Sequence, residues 1–184
     1  MRFIPQSLKL KDGRFALIRQ AEMSDAEKIS HFLIERAMET EYMLRDPDEC
    51  ETPPEMRKII HQTNQSETDL MIVCEVENEI VGNAELNRRK HRKTFHRAEV
   101  SVGTLKLFWG LGIGTALMQA IIQAAREYGI TQLELNVFQG NDRAIGMYQK
   151  LGFETVAVRP NCIRRKDGTR LAAITMFKTL DESE

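Results

Sequence analysis

Two sets of residues in this chain have types and spacings suited to chemistry. The first is Gly110-Leu111-Gly112-Ile113-Gly114, followed by Thr115. These glycines stand just ahead of a stretch in which Ile113, Leu117, Ala120, Ile121, Ala124 and Tyr128 recur at helical spacing. A glycine turn that opens a helix presents unpaired backbone N–H groups and the positive end of the helix dipole, an arrangement that binds pyrophosphate. The second set is Asn141 and Tyr148. Seven residues of helix turn about 700°, roughly 20° short of two circles, so both side chains face one groove two turns apart.

Other chemistries fit poorly. The dinucleotide pattern G-x-G-x-x-G needs a further glycine that does not follow Gly114, and the triphosphate loop needs Gly-Lys-Ser/Thr, which is absent. A dinucleotide enzyme also needs an acid at the end of the next strand, where this chain has Phe138-Gln139-Gly140. Cys50, Cys74 and Cys162 are odd in number and widely spaced, which suits a reducing cytoplasm and shows no metal pattern. His91 and His96 lack companion ligands, so no metal is expected. The glycines alone would also serve tight strand-to-helix packing.

The second set belongs to a longer run, Asn141-Asp142-Arg143-Ala144-Ile145-Gly146-Met147-Tyr148-Gln149-Lys150-Leu151-Gly152-Phe153. Together with the glycine turn it resembles the GCN5-related N-acetyltransferase superfamily. That family's turn reads Arg/Gln-x-x-Gly-x-Gly/Ala, and its later signature reads N-x-x-A-I-x-x-Y-x-K-x-G-F. The later signature matches at every fixed position, and the turn matches at Gly112 and Gly114. Trp109 replaces the usual Arg or Gln, which changes one side-chain contact and leaves the backbone cradle. The resemblance is dense from about Ile72 to Phe153.

It implies direct transfer of an acetyl group from acetyl-coenzyme A to a primary amine. On that reading the segment from Trp109 and Gly110 through Leu111, Gly112, Ile113, Gly114 and Thr115 holds the pyrophosphate. Backbone at Val102, Gly103, Thr104 and Leu105 pairs with the pantetheine arm, and Asn141 and Lys150 complete the cofactor site. Tyr148 is the proton donor: an ordinary phenol, near 10, suits a thiolate leaving group of about 8.5. Glu99 is the first choice as base, with Glu85 or water as alternatives. The acceptor is a small-molecule or protein amine, including a ribosomal-protein amine. A coenzyme A-binding sensor without catalysis is the remaining alternative.

At 184 residues the chain is expected to be a single N-acetyltransferase domain, 1–184. Its formal net charge of −1 implies no nucleic-acid or membrane field. No signal-like or membrane-length apolar run is present, so a cytoplasmic location is expected. Residues 14–20 read as a strand. Ser24-Asp25-Ala26-Glu27 reads as a capping box opening a helix with Ile29, Phe32, Leu33 and Ala37 inside, and Thr52-Pro53-Pro54-Glu55 repeats the device. Between Glu35 and Glu55 eight acids stand against Arg36 and Arg45. The resemblance places this region on the acceptor side of the cleft, where acids would favour a cationic amine such as a polyamine, an aminoglycoside or a basic amino acid; a solvated face is the plainer reading. Strands follow at 70–77 and 79–86, hinged at Asn78. The basic run Arg88-Arg89-Lys90-His91-Arg92-Lys93 is a hairpin tip, a cofactor-phosphate contact or, least of all, an RNA contact. A strand at 130–138 and a hairpin of 153–164 with 169–178 around Asp167-Gly168 complete the chain. The order β-α-α-β-β-β-α-β-α-β-β gives an α+β fold, a mixed, mostly antiparallel sheet flanked by helices, with two strands splayed to admit the cofactor as the resemblance implies. A homodimer through the edge strand 169–178 is a further expectation.

Overall fold

A computed structural model of the protein describes residues 1–180. Among these, eight strands and four α-helices occur in the order β1 (Gln6–Lys9), β2 (Phe15–Gln20), α1 (Ala26–Glu39), α2 (Pro53–Gln65), β3 (Asp69–Val76), β4 (Glu79–Arg88), β5 (Arg97–Thr104), α3 (Ile113–Glu127), β6 (Gln132–Phe138), α4 (Asp142–Lys150), β7 (Glu154–Arg164) and β8 (Arg170–Thr179). One sheet carries all the strands in the order β1-β2-β3-β4-β5-β6-β8-β7. Every neighbouring pair is antiparallel except β5 and β6.

Both faces of the sheet are covered, which explains the unbroken apolar run in β3. Leu70, Ile72, Cys74 and Val76 enter one core with Ile113, Leu117 and Ile121 of α3. Met71 and Val73 point the other way, against Ile29, Phe32 and Leu33 of α1 and Met56 and Ile60 of α2. Element ends follow local chemistry. Glu77 and Asn78 both take positive φ, 51° and 67°, as a two-residue hairpin matched to strand twist requires. Helix α3 stops at Gly129, where Ile130 N–H reaches back to Ala125 O at 2.9 Å. Thr52 and Glu55 form the expected capping box, with Thr52 N–H donating to Glu55 Oε2 at 2.9 Å.

Three expectations are corrected. An additional strand, β1, precedes the first one expected, pairing Gln6–Lys9 with Phe15–Ile18. Its sequence is too short to show alternation, and the tight turn at Gly13 (φ 93°) brings it back onto β2. The capping box before α1 is built by Glu22 and Asp25 rather than Ser24 and Glu27, with Glu22 N–H donating to Asp25 Oδ2 at 2.8 Å. Arg19 anchors Asp25 there with two hydrogen bonds, at 2.6 and 2.9 Å. Finally, β8 is paired on both sides, by β6 and β7, so the outer strand is β7 and not 169–178.

The feature that organises the site is a wedge. Strands β5 and β6 pair only where Arg97–Glu99 meets Gln132–Glu134. Beyond Glu99, β5 stays on β4 as far as Thr104, and β6 stays on β8 as far as Phe138. The two strands therefore part, as the splayed arrangement requires, and the open end lies toward the glycine turn. Among the described residues no helix is long and apolar enough to cross a membrane.

Candidate active site

One wall of the wedge is the free edge of β5. Leu105 N–H donates to Val81 O at 3.0 Å, and Arg97 O accepts from Arg89 N–H at 2.9 Å, so odd-numbered residues turn their backbone toward β4. Val102 and Thr104 consequently turn theirs into the wedge. His96, of the same parity, accepts from Gln132 N–H across the closed end at 3.2 Å. Of the four residues expected to meet the pantetheine arm, the structure presents Val102 and Thr104; Gly103 and Leu105 are committed to β4.

The glycine turn lies past the end of β5. Gly110 and Gly112 hold φ of 81° and 98°, and Gly112 is the N-cap of α3. The first helical bond runs from Ala116 N–H to Gly112 O at 3.0 Å, which leaves the N–H groups of Ile113, Gly114 and Thr115 without helical acceptors. A Cβ placed on Gly110 or Gly112 meets no protein atom within 4 Å, so the space above the turn is open to an anion. At Gly114 the Cβ would lie 3.3 Å from Met147 Sδ, which is where α4 packs on the helix. Trp109 donates its indole N–H to Thr104 O at 3.2 Å. The Arg143 guanidinium lies 3.6 Å from the centroid of the same ring, so α4 brings a cation to the position where Arg or Gln is absent.

Helix α4 supplies the other wall. Asn141 caps it, its Oδ1 accepting from Ala144 N–H at 3.4 Å. Tyr148 is only 6% exposed and meets Phe153 edge-on at 5.9 Å. Burial pushes its phenol up to about 12, with the Arg36 guanidinium pulling the other way. Lys150 is directed elsewhere. It lines a shallow groove with Gln119, Gln123, Arg126 and Lys178 along α3, which shares no residue with the glycine turn.

The face beneath α1 holds residues that the motifs do not mark. Arg36 Nη1 donates to Asn83 Oδ1 at 3.0 Å, its Nε to Met43 Sδ at 2.8 Å, and Asn83 Nδ2 to Glu85 Oε1 at 3.3 Å. A Cβ on Gly103 would lie 1.3 Å from Arg36 Nη1, so the missing side chain on β5 is what admits the guanidinium. Burial raises the Glu85 carboxyl and lowers the Arg36 guanidinium, and each charge partly offsets the shift of the other. Glu99 is placed differently. It is 43% exposed at the closed end and pairs with Arg89 at 3.3 Å. The strand carboxylate brought beside Arg36 is thus Glu85. A signal for Arg36 existed: it falls four residues after Phe32 and three after Leu33, on the apolar stripe of α1.

The acids between Glu35 and Glu55 mostly have partners within the protein. Glu35 lies 3.9 Å from His31, Glu41 3.2 Å from Arg165, Asp46 3.3 Å from Lys166, and Glu51 2.8 Å from Arg45. Glu39 accepts from Lys106 N–H at 2.7 Å, and Glu49 and Glu55 cap helical turns. Tyr42 donates to Gly140 O at 2.8 Å, carrying this loop across to the end of β6. In the basic run, Arg88 is bound to Tyr128 O at 3.0 Å and stacks on Phe95 at 3.7 Å, while Arg89 bonds Glu134. That run follows the rung Arg88–Ala98, at the end of the β4–β5 ladder opposite Gly82–Thr104 and the glycine turn, so it does not reach a phosphate held there.

Known proteins resemble this chain in sequence and in fold. The chain is 36% identical over 106 residues to an acetyltransferase of Pectobacterium atrosepticum, covering 56% of this chain and 69% of the relative. It is 45% identical over 60 residues to an N-alpha-acetyltransferase of Sulfurisphaera tokodaii, covering 32% of this chain and 36% of that protein's length. The crystal structure of a GNAT-family acetyltransferase from Streptococcus pneumoniae superposes with a TM-score of 0.85 at 25% identity, covering 90% of this chain and 99% of the other. The fold also matches a phosphinothricin acetyltransferase from Sinorhizobium meliloti in complex with AcCoA, with a TM-score of 0.80 at 20% identity, covering 91% and 89%. The model of the acetyltransferase (GNAT) family matches residues 34–153, more than half of the sequence, and the chain belongs to that family.

Proposed function

We propose that the protein transfers an acetyl group from acetyl-coenzyme A directly to a primary amine, with residues 1–184 acting as one catalytic domain. The observation that carries this reading is the wedge: β5 and β6 part beyond Glu99 and Glu134, with the open glycine turn past one wall and Tyr148 on the other. An extended pantetheine arm would add to the free edge of β5 through Val102 and Thr104. The α3 N-terminus, with Trp109 and Arg143 beside it, would hold the pyrophosphate.

The proton steps then fall to side chains. Glu85 takes a proton from the entering ammonium and passes it to water. The amine nitrogen bonds to the thioester carbonyl carbon, the carbon–sulfur bond breaks, and the sulfur takes the phenolic proton of Tyr148. The proton shed by the new amide nitrogen restores the tyrosine, so one proton reaches solvent per turnover. Arg36 favours the transient tyrosinate, since its charge already opposes the upward shift of the phenol. An ordinary thiol is a stronger acid than a phenol at about 12, so this help bears on the rate.

The acceptor enters in its ammonium form, as polyamines, aminoglycosides and basic amino acids do; the acid-rich loop adds little to this, because most of its carboxylates are engaged within the protein. A protein α-amine is the second reading, favoured by the N-alpha-acetyltransferase relative. The unpaired Cys50, Cys74 and Cys162 suit a reducing cytoplasm. Mass spectrometry of protein and amine after incubation with acetyl-coenzyme A tests the reading. Acetylated amine with unmodified protein is expected. Stable acetyl-enzyme, or binding with no product from any amine, would replace direct transfer by a covalent route or by a sensor.

A further inference from the structure

Arg36 is a half-buried cation whose side-chain hydrogen bonds, among the described residues, all go to neutral atoms. Its partners are Met43 Sδ and Asn83 Oδ1, with the Phe32 ring 5.4 Å from the guanidinium carbon. Among the described residues no carboxylate forms a salt bridge with it; Glu85 acts on it only through Asn83 and the field. A partly desolvated charge with no opposite charge hydrogen-bonded to it gains by taking one from outside. Among the described residues Nη2 has no hydrogen-bond acceptor, so that end of the guanidinium remains available.

The position of the group narrows what that partner is. The guanidinium lies against Gly103, next to Val102, whose backbone faces the wedge. It is therefore on the α1 side of the strand that would align the thioester, where an acceptor must approach. Glu85 lies one amide away, since Asn83 accepts from Arg36 and donates to Glu85. The site thus offers a fixed cation and a fixed anion separated by a single small polar group.

We infer that the acceptor is a zwitterion of the α-amino acid type, its carboxylate received by Arg36 and its ammonium presented to Glu85. The inference rests on the acetyltransferase reading above and names the substrate class of that site. An ammonium and a carboxylate on one carbon span about the same gap as the Asn83 amide, and a planar guanidinium accepts a carboxylate in a two-point geometry that lysine cannot copy. The outer acids do not compete for Arg36, because they are engaged by Arg45, Arg165, Lys166 and backbone N–H groups. Peptide N-termini and simple polyamines carry no carboxylate at this spacing and leave Arg36 unpaired.

The test is thiol release from acetyl-coenzyme A with matched pairs of L-amino acids and their carboxamides, which differ only in that charge. Wild-type protein should show kcat/KM at least about 10²-fold higher for the acids, as expected when a buried charge loses its partner. Arg36→Gln should lower kcat alike for acids and carboxamides, through the tyrosinate it no longer favours, and should raise KM by about 10²-fold for the amino acids only. Arg36→Lys should recover part of the loss. Thermal unfolding no lower than that of wild type, and unchanged calorimetry with coenzyme A, should show that the variants fold and bind. Equal rates for acids and amides, no release with any amino acid, or a KM that moves equally for both in Arg36→Gln overturns the zwitterion inference while leaving amine acetylation standing. Failure of wild-type protein to bind acetyl-coenzyme A overturns the reading beneath it.

Discussion

The indole N–H of Trp109 is bonded to the carbonyl oxygen of Thr104, 3.2 Å away. This bond fastens the glycine turn to the free end of β5, and Arg143 stacks on the outer face of the same ring. The glycine turn and the strand that would align the thioester are thereby fixed to each other. Trp109→Ala removes a hydrogen bond and a cation–π contact, worth about 0.5–1.5 and 0.5–1 kcal/mol. Coenzyme A affinity measured by calorimetry should fall roughly 5- to 70-fold. Trp109→Arg should not restore it, because the new cation would meet Arg143.

Gly112→Val should abolish binding. Its φ of 98° strains any side chain, and the open space above the turn is where phosphate oxygens would lie. Gly114→Val also presses on Met147 Sδ, so it should lower thermal stability in addition to affinity. Undiminished calorimetric affinity in the Gly112 variant would remove the pyrophosphate assignment.

The sign of the Glu85 shift gives two pH predictions. Its folded-state pKa is raised, chiefly by burial, with Arg36 opposing. Its contribution to stability is therefore fully present below the unfolded carboxyl value and lost as pH rises through the raised one. Glu85→Gln should raise the melting temperature near pH 7 and make little difference near pH 4. In kinetics, the acid limb of kcat/KM should vanish in Glu85→Gln and persist in Glu99→Gln, since Glu99 is an exposed partner of Arg89. Persistence of the limb in Glu85→Gln would assign the base to water or another group.

Native alkylation checks the thiols. Burial pushes the Cys74 thiol up to about 12, whereas Cys162 is exposed. Iodoacetamide at pH 8 should modify Cys162 and spare Cys74 until the protein is unfolded. Early loss of Cys74 would mean that the β3 core opens readily.

Much of this was legible in the residues themselves. The glycine turn, the α4 motif and both tight hairpins announce local geometry, so Gly110–Thr115, Asn141 and Tyr148 could be placed from spacing and motif. What spacing does not show is which way a strand's backbone faces. That parity depends on the β4–β5 register, and it separated Val102 and Thr104 from Gly103 and Leu105. Strand order is equally non-local: β8 and β7 form one hairpin, yet β8 inserts beside β6 and leaves β7 outside. Charge counting misled for a related reason. Eight acids in one stretch suggested a field, but partners distant in sequence, Arg165 and Lys166, engage two of them. The cation that matters, Arg36, lay within the same stretch.

The most direct measurement is amine-dependent thiol release from acetyl-coenzyme A, with wild type and Tyr148→Phe side by side. Wild-type protein should release thiol only when a primary amine is present. Tyr148→Phe should lower kcat by about 10²-fold or more, the range of a lost general acid, with acetyl-coenzyme A affinity little changed. Because the phenol lies near 12, the wild-type rate should show no alkaline limb from Tyr148 below a pH of about 11. Thiol release that ignores the amine, or a Tyr148→Phe variant at full rate, would contradict the account.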